Sequence, residues 1–142
     1  MALYTVLIVD DEEEFRDMTA KRLTKRDLEC ESAPDGDTAL QMIAEKNYDV
    51  VLLDVKMPGR DGIETLREIK RIAPMTEVVM LTGHASVESG INGIKYGAFD
   101  YLMKPMELDP LFEKLNAAYD RKRTQQEKIE MAQIKKDMAR PS

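Results

Sequence analysis

Polar side chains follow four apolar segments of the chain, each at the point where the apolar run ends. Asp10 and Asp11 follow the first of these segments, and Asp54 follows the second. Thr82 follows the third and Lys104 follows the fourth. Carboxylates are oxygen ligands for hard cations, a hydroxyl donates a hydrogen bond, and an ammonium neutralises an anion. Brought together by a fold, these groups could hold a divalent cation beside a phosphoryl group.

The run Val50–Leu53 is the segment around which the other elements are arranged. It is uninterrupted and rich in branched residues, which is typical of a strand buried on both faces of a parallel sheet. Pro58 and Gly59 follow soon after and stop the strand. Asp54 therefore lies at the carboxyl end of a central strand, where open α/β sheets bind ligands. On this segment alone, a role for Asp54 in capping a turn or the next helix is equally open.

Strand-like and helix-like patterns alternate five times along the chain. Helices between successive strands require parallel strands joined by right-handed crossovers. The alternation predicts an α/β fold: a three-layer, doubly wound, flavodoxin-like sheet of five parallel strands in the order 2-1-3-4-5, with five helices. The predicted strands are 4–9, 28–33, 48–53, 76–81 and 99–103, and the predicted helices are 12–26, 37–46, 61–73, 86–96 and one that begins at 108.

This strand order places the polar strand ends on one edge of the sheet, where three carboxylates share a shallow cleft. Two carboxylates about 5 Å apart repel by roughly 3 kcal/mol at an effective dielectric constant near 20. Lys104 supplies one positive charge and cannot offset three negative ones, so a divalent ion is the natural complement. Oxygen ligands and water favour Mg²⁺. The central Asp54 is the best candidate nucleophile for forming an acyl phosphate.

Each residue of this group has a simpler role when it is considered alone. Asp10 or Asp11 could cap the first helix, and Thr82 could belong to a turn. Lys104 could be a solvated charge, and Tyr101 could be a half-buried strand aromatic. Their joint occurrence at successive strand ends favours a common site.

Composition excludes several classes of protein. The 142 residues are 43% hydrophobic and 34% charged, with no apolar run as long as a membrane span and no signal-peptide pattern. Cys30 is the single cysteine, which excludes an internal disulfide and fits a reducing cytoplasm. With His84 as the single histidine, a Cys/His zinc site is not expected. The net charge of −6 argues against a nucleic-acid binder.

The charge balance changes near residue 120. Residues 1–119 carry 14 basic and 23 acidic side chains, whereas residues 120–142 carry 7 basic and 4 acidic ones. The chain is therefore divided into a folded domain over 1–119 and a charged helical extension or tail over 120–142. A heptad pattern through Leu115, Lys122 and Ile129 places polar groups in its seam, which argues against a stable coiled coil.

Four segments carry a resemblance to a known family: Val6–Asp11, Leu52–Gly62, Leu81–Gly83 and Gly97–Pro105. Over residues 3–119 the chain resembles the receiver domain of bacterial two-component response regulators. The resemblance implies a cytoplasmic signalling protein that is not an enzyme acting on a separate substrate. It also implies contact with a protein effector or output domain, and no direct contact with nucleic acid or membrane.

The resemblance assigns roles to the strand-end residues. Asp54 would accept a phosphoryl group from the phosphohistidine of a sensor histidine kinase or phosphotransfer protein. Asp11, Asp54 and the Lys56 backbone carbonyl would bind Mg²⁺, with Asp10 acting through water. Lys104 would hold the phosphoryl group.

The resemblance also implies a conformational response. Thr82 and Tyr101 would form a switch pair in which the hydroxyl moves toward the phosphoryl group and the ring turns inward. The altered face would be the fourth helix, the fifth strand and the fifth helix, and it could support a phosphorylation-dependent homodimer. The bond between Lys104 and Pro105 is expected to be cis.

Four further residues adjoin the site or the switch. Lys56 and His84 each lie two residues after a site residue, and such positions tend to tune how fast water attacks the acyl phosphate; a solvated His84 is the simpler alternative. Gly90 and Gly93 weaken the fourth helix by about 1 kcal/mol each. They predict a helix that is mobile before phosphorylation, or one that packs closely on the sheet.

Two rival functions remain at this point. One is that the chain is the N-terminal receiver fragment of a larger transcriptional regulator whose output domain is missing. The other is a small Mg²⁺-dependent phosphatase with an aspartyl nucleophile. Such enzymes carry the nucleophile at the first strand in a DxD pattern, which Asp10-Asp11-Glu12 lacks.

Overall fold

The computed structural model describes residues 2–56, 61–83 and 87–139, with only the backbone described at 87–90. Strands and helices alternate throughout, as predicted. The strands are β1 (Thr5–Val9), β2 (Glu29–Ala33), β3 (Val50–Asp54), β4 (Glu77–Thr82) and β5 (Asp100–Met103), and the helices are α1 (Glu13–Thr24), α2 (Gly36–Glu45), α3 (Gly62–Ile72), α4 (Val87–Lys95) and α5 (Leu108–Met138).

The five strands form one parallel sheet in the order β2-β1-β3-β4-β5, which confirms the predicted topology. Along β3, every residue from Val50 to Asp54 is buried. Helices cover both faces of the sheet, so an alternating pattern of polar residues would place polar groups in the core. This is why the central strands are apolar without interruption.

Two apolar clusters fill the space between the sheet and its helices. On one face, Leu53 and Val51 pack with Leu66 and Ile69 of α3. On the other face, Leu52 packs in a cluster with Leu23 of α1 and with Leu115 of α5, among other residues. Because successive strand residues point to opposite faces, neighbours in β3 serve different clusters. The sheet is thereby packed against a helical layer on each face.

The third strand begins two residues later than predicted. Asp49, which precedes Val50, is tied to Thr5 by side-chain contacts: its Oδ2 accepts hydrogen bonds from the Thr5 amide (2.9 Å) and hydroxyl (3.1 Å). Tyr48 is buried, and its carbonyl accepts a hydrogen bond from the Thr76 hydroxyl at 2.8 Å. The Asp49 amide also donates to the Thr5 carbonyl and its carbonyl accepts the Glu77 amide, both at 3.2 Å, so side-chain bonds reinforce the backbone bonds at this end of the sheet.

The fifth helix does not end with the sheet. It continues from Leu108 to Met138 as one helix, and its sheet-facing residues Leu111, Leu115, Ala118 and Lys122 are buried. Beyond Lys122 the side chains of Ile129 and Ile134 are more than half exposed. Among the described helices, none combines the length and apolar content that crossing a bilayer requires.

Candidate functional site at the carboxyl edge of the sheet

The register of the parallel strands determines which polar residues become neighbours. Val9 pairs with Leu53, so Asp10 and Asp54 leave adjacent strands side by side. Asp54 pairs with Leu81, which brings Thr82 to the next position along the same edge. The Lys104 amide donates to the Thr82 carbonyl at 2.7 Å, which continues the edge into β5. The predicted group of residues thus gathers on one edge.

The Lys104 ammonium is the centre of this cleft. Its Nζ lies 2.5 Å from Asp10 Oδ2, 3.7 Å from Asp54 Oδ2 and 3.7 Å from Glu12 Oε1. The Asp10 side chain is fully buried, whereas 21% of the Lys104 side chain is exposed. A charge-assisted hydrogen bond to a buried carboxylate is strong, because water cannot compete for it. Lys104 therefore bridges the ends of β1 and β3 from the β5 side.

Carboxylates suited to a hard cation also meet here. Asp10, Asp11 and Glu12 can each place one oxygen within 4.8 Å of the others, and Asp11 and Glu12 are exposed. Asp54 stands beside Asp10 on the neighbouring strand. This all-oxygen donor set, open to water on one side, fits the coordination that Mg²⁺ prefers. Lys56, whose carbonyl the resemblance adds to the set, is exposed and donates its amide to Asp54 Oδ1 at 3.2 Å.

The environment of Asp54 shifts its protonation. Burial raises the pKa of Asp54 to about 6; the Lys104 charge opposes this rise, and the negative charge of Asp10 adds to it. Burial alone would lower the pKa of Lys104, but its hydrogen bond to Asp10 and the charge of Asp54 raise it above its ordinary value. Lys104 is therefore a cation and Asp54 is mostly a carboxylate at neutral pH.

Gly62 allows the start of α3 to lie close to the end of β3. A Cβ at this position would lie 2.6 Å from Val55 Cα and 2.9 Å from the Asp54 carbonyl oxygen. The Gly62 amide donates to the Val55 carbonyl at 3.1 Å, and the Val55 amide donates to the Leu81 carbonyl at 3.0 Å. The start of α3 thus presses directly against the end of β3, which no larger residue would allow.

Asp61, rather than Asp54, caps the helix that follows β3. Its Oδ1 accepts hydrogen bonds from the amides of Ile63 (2.7 Å) and Glu64 (3.1 Å). Asp10 Oδ1 accepts the Glu12 amide at 2.9 Å while its Oδ2 contacts Lys104. Glu12 is the N-cap residue of α1 and no side chain caps this helix, so the Asp10 bond orders the turn before α1 and is not a helix cap.

Thr82 and Tyr101 occupy neighbouring strands near the cleft. Thr82 is fully buried, and its hydroxyl donates to the Leu102 carbonyl at 3.4 Å. Tyr101 is partly buried and packs against the cluster on the α3 side of the sheet. The predicted His84, together with Pro58 and Gly59, lies outside the described residues.

Three residues of the cleft were not predicted from the sequence. Glu12 approaches Lys104, Arg16 donates to the Asp10 carbonyl at 2.7 Å, and the Phe15 ring lies beneath the Lys104 ammonium. The acidic residues at the start of α1 do not by themselves indicate a site, because the helix dipole also favours acidic side chains there. The closeness of all three residues to Asp10 in the sequence could have indicated them. The first turn of a helix that directly follows a strand lies near the end of that strand.

Comparisons of the whole chain with known proteins point to one family. The family model for the response regulator receiver domain matches residues 6–116. The regulatory protein AtoC of Escherichia coli K12 is 40% identical over 110 residues, which are 78% of this chain and 24% of AtoC. A putative NtrX-like response regulator of Rickettsia bellii is 36% identical over 92% of this chain and 28% of its own length.

Solved structures agree as well. The crystal structure of the receiver domain of NtrX from Brucella abortus superposes with a TM-score of 0.78 at 36% identity, covering 81% of this chain and 98% of that one. The chain spans about a quarter of the length of the curated relatives it matches.

Proposed function

This chain belongs to the response regulator receiver domain family, and on that premise we propose that it is a phosphorylation-activated receiver whose acceptor is Asp54. The main support is the 3.7 Å separation between Lys104 Nζ, after β5, and Asp54 Oδ2, at the end of β3, on the carboxyl edge of the sheet. A buried carboxylate beside an ammonium can attack phosphorus while the ammonium neutralises the added negative charge.

In the proposed reaction, a phosphohistidine of a sensor histidine kinase or phosphotransfer protein supplies the phosphoryl group. An Asp54 carboxylate oxygen attacks phosphorus; the new P–O bond forms as the P–N bond breaks, and the electron pair returns to the donor imidazole. Lys104 neutralises a phosphoryl oxygen throughout. Asp11, Asp54 and the Lys56 carbonyl would hold Mg²⁺, with Asp10 acting through water, and the ion would supply further positive charge for the phosphoryl group.

The proposed output is a change in a protein-binding face. Phosphorylation adds charge and strong acceptor oxygens at Asp54. Thr82 can donate to one of these oxygens only by giving up its bond to the Leu102 carbonyl, so the phosphoryl group favours one of two local arrangements. Tyr101, one residue from Leu102, would turn inward as Thr82 moves. The surface of α4, β5 and α5 would change with it and alter contacts with an effector.

The test is phosphorylation by acetyl phosphate with Mg²⁺, followed by intact-mass and peptide analysis. We expect one added phosphoryl group on Asp54, none on the Asp54→Asn variant, and loss of uptake when EDTA removes Mg²⁺. Asp109→Asn is the matched control, because the Asp109 side chain is 75% exposed and lies away from the cleft. Equal uptake by wild type and Asp54→Asn would exclude this acceptor.

We keep one alternative, in which this receiver is the N-terminal part of a larger transcriptional regulator. The supporting observation is that the chain spans only about a quarter of its curated relatives. In that case residues 1–119 are the receiver and 120–142 begin the connection to an output domain. The open reading frame around the coding sequence tests this: an in-frame output domain supports it, and a stop codon after Ser142 excludes it.

We propose that the receiver acts in the cytoplasm through protein contacts. The receiver would not act as an enzyme on a separate substrate, and its only chemistry would be phosphoryl uptake and loss at Asp54. It would work in the cytoplasm through protein contacts, without direct binding of nucleic acid or membrane. The acidic balance over residues 1–119 and the lone Cys30 support this.

A further inference from the structure

Besides its carboxylate partners, Lys104 contacts the ring of Phe15. Its Nζ lies 4.2 Å from the centroid of the Phe15 ring, the closest of the described cation–ring contacts. Phe15 belongs to the first turn of α1 and is half-buried, in contact with the apolar cluster on the α1 and α5 side. At this distance the ring face attracts an ammonium group.

The surroundings explain why such a ring matters. Beyond Phe15, a cavity of about 360 Å³ opens between α1 and the start of α5. Its lining is mainly apolar, with Met18, Met106 and Leu111, and also includes the charged Arg22 and Glu107. The lysine side chain is long and flexible, and it lines the same cavity. A ring beneath the ammonium limits its movement toward the cavity without adding a negative charge that would compete with Asp54.

We propose that Phe15 is a positioning residue for the phosphoryl chemistry: its ring holds the Lys104 ammonium at the cleft, within reach of Asp54. This inference rests on the proposed function for its catalytic meaning. The contact itself is independent of that function, because it is present between two side chains of the protein alone. The two can therefore be tested separately.

The first experiment measures the contact without phosphate or Mg²⁺. Urea unfolding of wild type, Phe15→Leu, Lys104→Met and the double variant forms a double-mutant cycle. Leucine keeps the apolar packing of Phe15 but has no ring face. We expect a coupling of about threefold or more in the folding equilibrium constant. Additive effects of the two substitutions would overturn the proposal.

The second experiment measures the consequence for chemistry. With acetyl phosphate and saturating Mg²⁺, we expect Phe15→Leu to be phosphorylated about three- to tenfold more slowly than wild type. Phe15→Tyr should restore most of the rate because it keeps the ring, and the Mg²⁺ affinity of Phe15→Leu should be unchanged. Phe112→Leu is the matched control, since the Phe112 ring contacts Arg26 at 5.1 Å, away from the cleft.

The outcomes separate the two claims. A wild-type rate in Phe15→Leu, or a Phe15→Tyr variant as slow as Phe15→Leu, overturns the positioning role. If wild type takes up no phosphoryl group at all, the proposed function fails, and the unfolding cycle still decides whether the ring holds Lys104.

Discussion

Single residues set the shape of the cleft, and Gly62 does so through the side chain it lacks. A methyl group there would overlap Val55 Cα and press on the Asp54 carbonyl. We expect Gly62→Ala to lower the free energy of unfolding by about 1–3 kcal/mol, measured by urea denaturation, because the start of α3 must move away from β3. Gly83→Ala is the control: a Cβ there meets nothing within 4 Å, so its stability should change by less than about 0.5 kcal/mol. Equal losses in the two variants would contradict this account.

The lifetime of the phosphorylated form should depend on residues that flank Asp54 and Thr82. The Lys56 amide donates to Asp54 Oδ1 at 3.2 Å and the residue is exposed, so Lys56 stands beside the acceptor on the solvent side. We predict that Lys56→Ala or His84→Ala changes the rate of hydrolysis of the phosphorylated protein. The measurement is loss of phosphoryl mass after removal of acetyl phosphate, with Lys128→Ala in the α5 extension as control. Unchanged lifetimes in both variants would exclude the prediction.

At the scale of elements, the fifth helix is joined to the far edge of the sheet by ion pairs. Lys122 Nζ lies 2.6 Å from Asp49 Oδ1 at the start of β3, and Lys122 is buried. Arg121 pairs with the buried Glu77 at the start of β4, which Lys70 of α3 also contacts at 3.4 Å. The helix is therefore held to the sheet beyond the end of the region that matches the family.

The Lys122–Asp49 pair should contribute stability that depends on pH. Burial works to raise the pKa of Asp49, but the hydrogen bonds from Lys122 and Thr5 hold it below its ordinary value. The ion pair therefore stabilises the fold fully above about pH 4, the pKa of an aspartate in the unfolded chain. This stabilisation is lost as the pH falls through the lower pKa of Asp49 in the folded protein. We expect Lys122→Met to lower the free energy of unfolding by about 1–3 kcal/mol at pH 7. The difference in this free energy between the variant and wild type should narrow below about pH 4.

Urea unfolding at pH 7 and pH 3 measures both effects. Arg123→Met is the control, because Arg123 is 59% exposed and its ion pairs are 3.9 and 4.0 Å long. An exposed pair of this kind contributes little, so we expect a change below about 0.5 kcal/mol. If the loss of unfolding free energy in Lys122→Met is the same at pH 7 and pH 3, the role of Asp49 is contradicted.

The fourth helix combines close packing with weak helix propensity. A Cβ at Gly93 would lie 3.2 Å from Met80 Cγ, so this glycine allows α4 to approach β4 closely. Gly93 therefore serves close packing of α4 on the sheet. The surroundings of Gly90 lie outside the described part of the structure. We still predict that α4 is more mobile than α3 before phosphorylation, because the glycines lower its intrinsic stability. Hydrogen exchange as slow in α4 as in α3 would contradict this.

For the whole molecule, apolar side chains remain exposed on the face expected to respond. Ile91 and Ile94 of α4 are 47% and 44% exposed, and Tyr96 is 47% exposed. Burial of such groups against a second copy would stabilise a dimer once phosphorylation reshapes the face. We expect beryllofluoride with Mg²⁺, which imitates the phosphorylated state, to increase the size measured by light scattering. Asp54→Asn should stay at its original size, and an unchanged wild type would exclude the phosphorylation-dependent dimer.

Much of the architecture could be predicted because it depends on local patterns. The uninterrupted run at 50–53 and its neighbours indicate strands buried on both faces, and the helices between them require parallel pairing. Once the order is 2-1-3-4-5, the ends of those strands must share one edge. Asp10, Asp54, Thr82 and Lys104 could therefore be assigned to one cleft from their positions after apolar runs.

The tertiary structure alone decided how those groups contact one another and what surrounds them. Lys104 reaches Asp10 more closely than Asp54, and Phe15 and Glu12 approach it from α1, because helix packing determines which side chains stand over a strand end. The same holds for Lys122, whose place in a polar heptad seam suggests solvent, whereas its carboxylate partner lies 73 residues away in the chain. Periodicity reports the face of an element, and only the packing of several elements determines which distant charges meet.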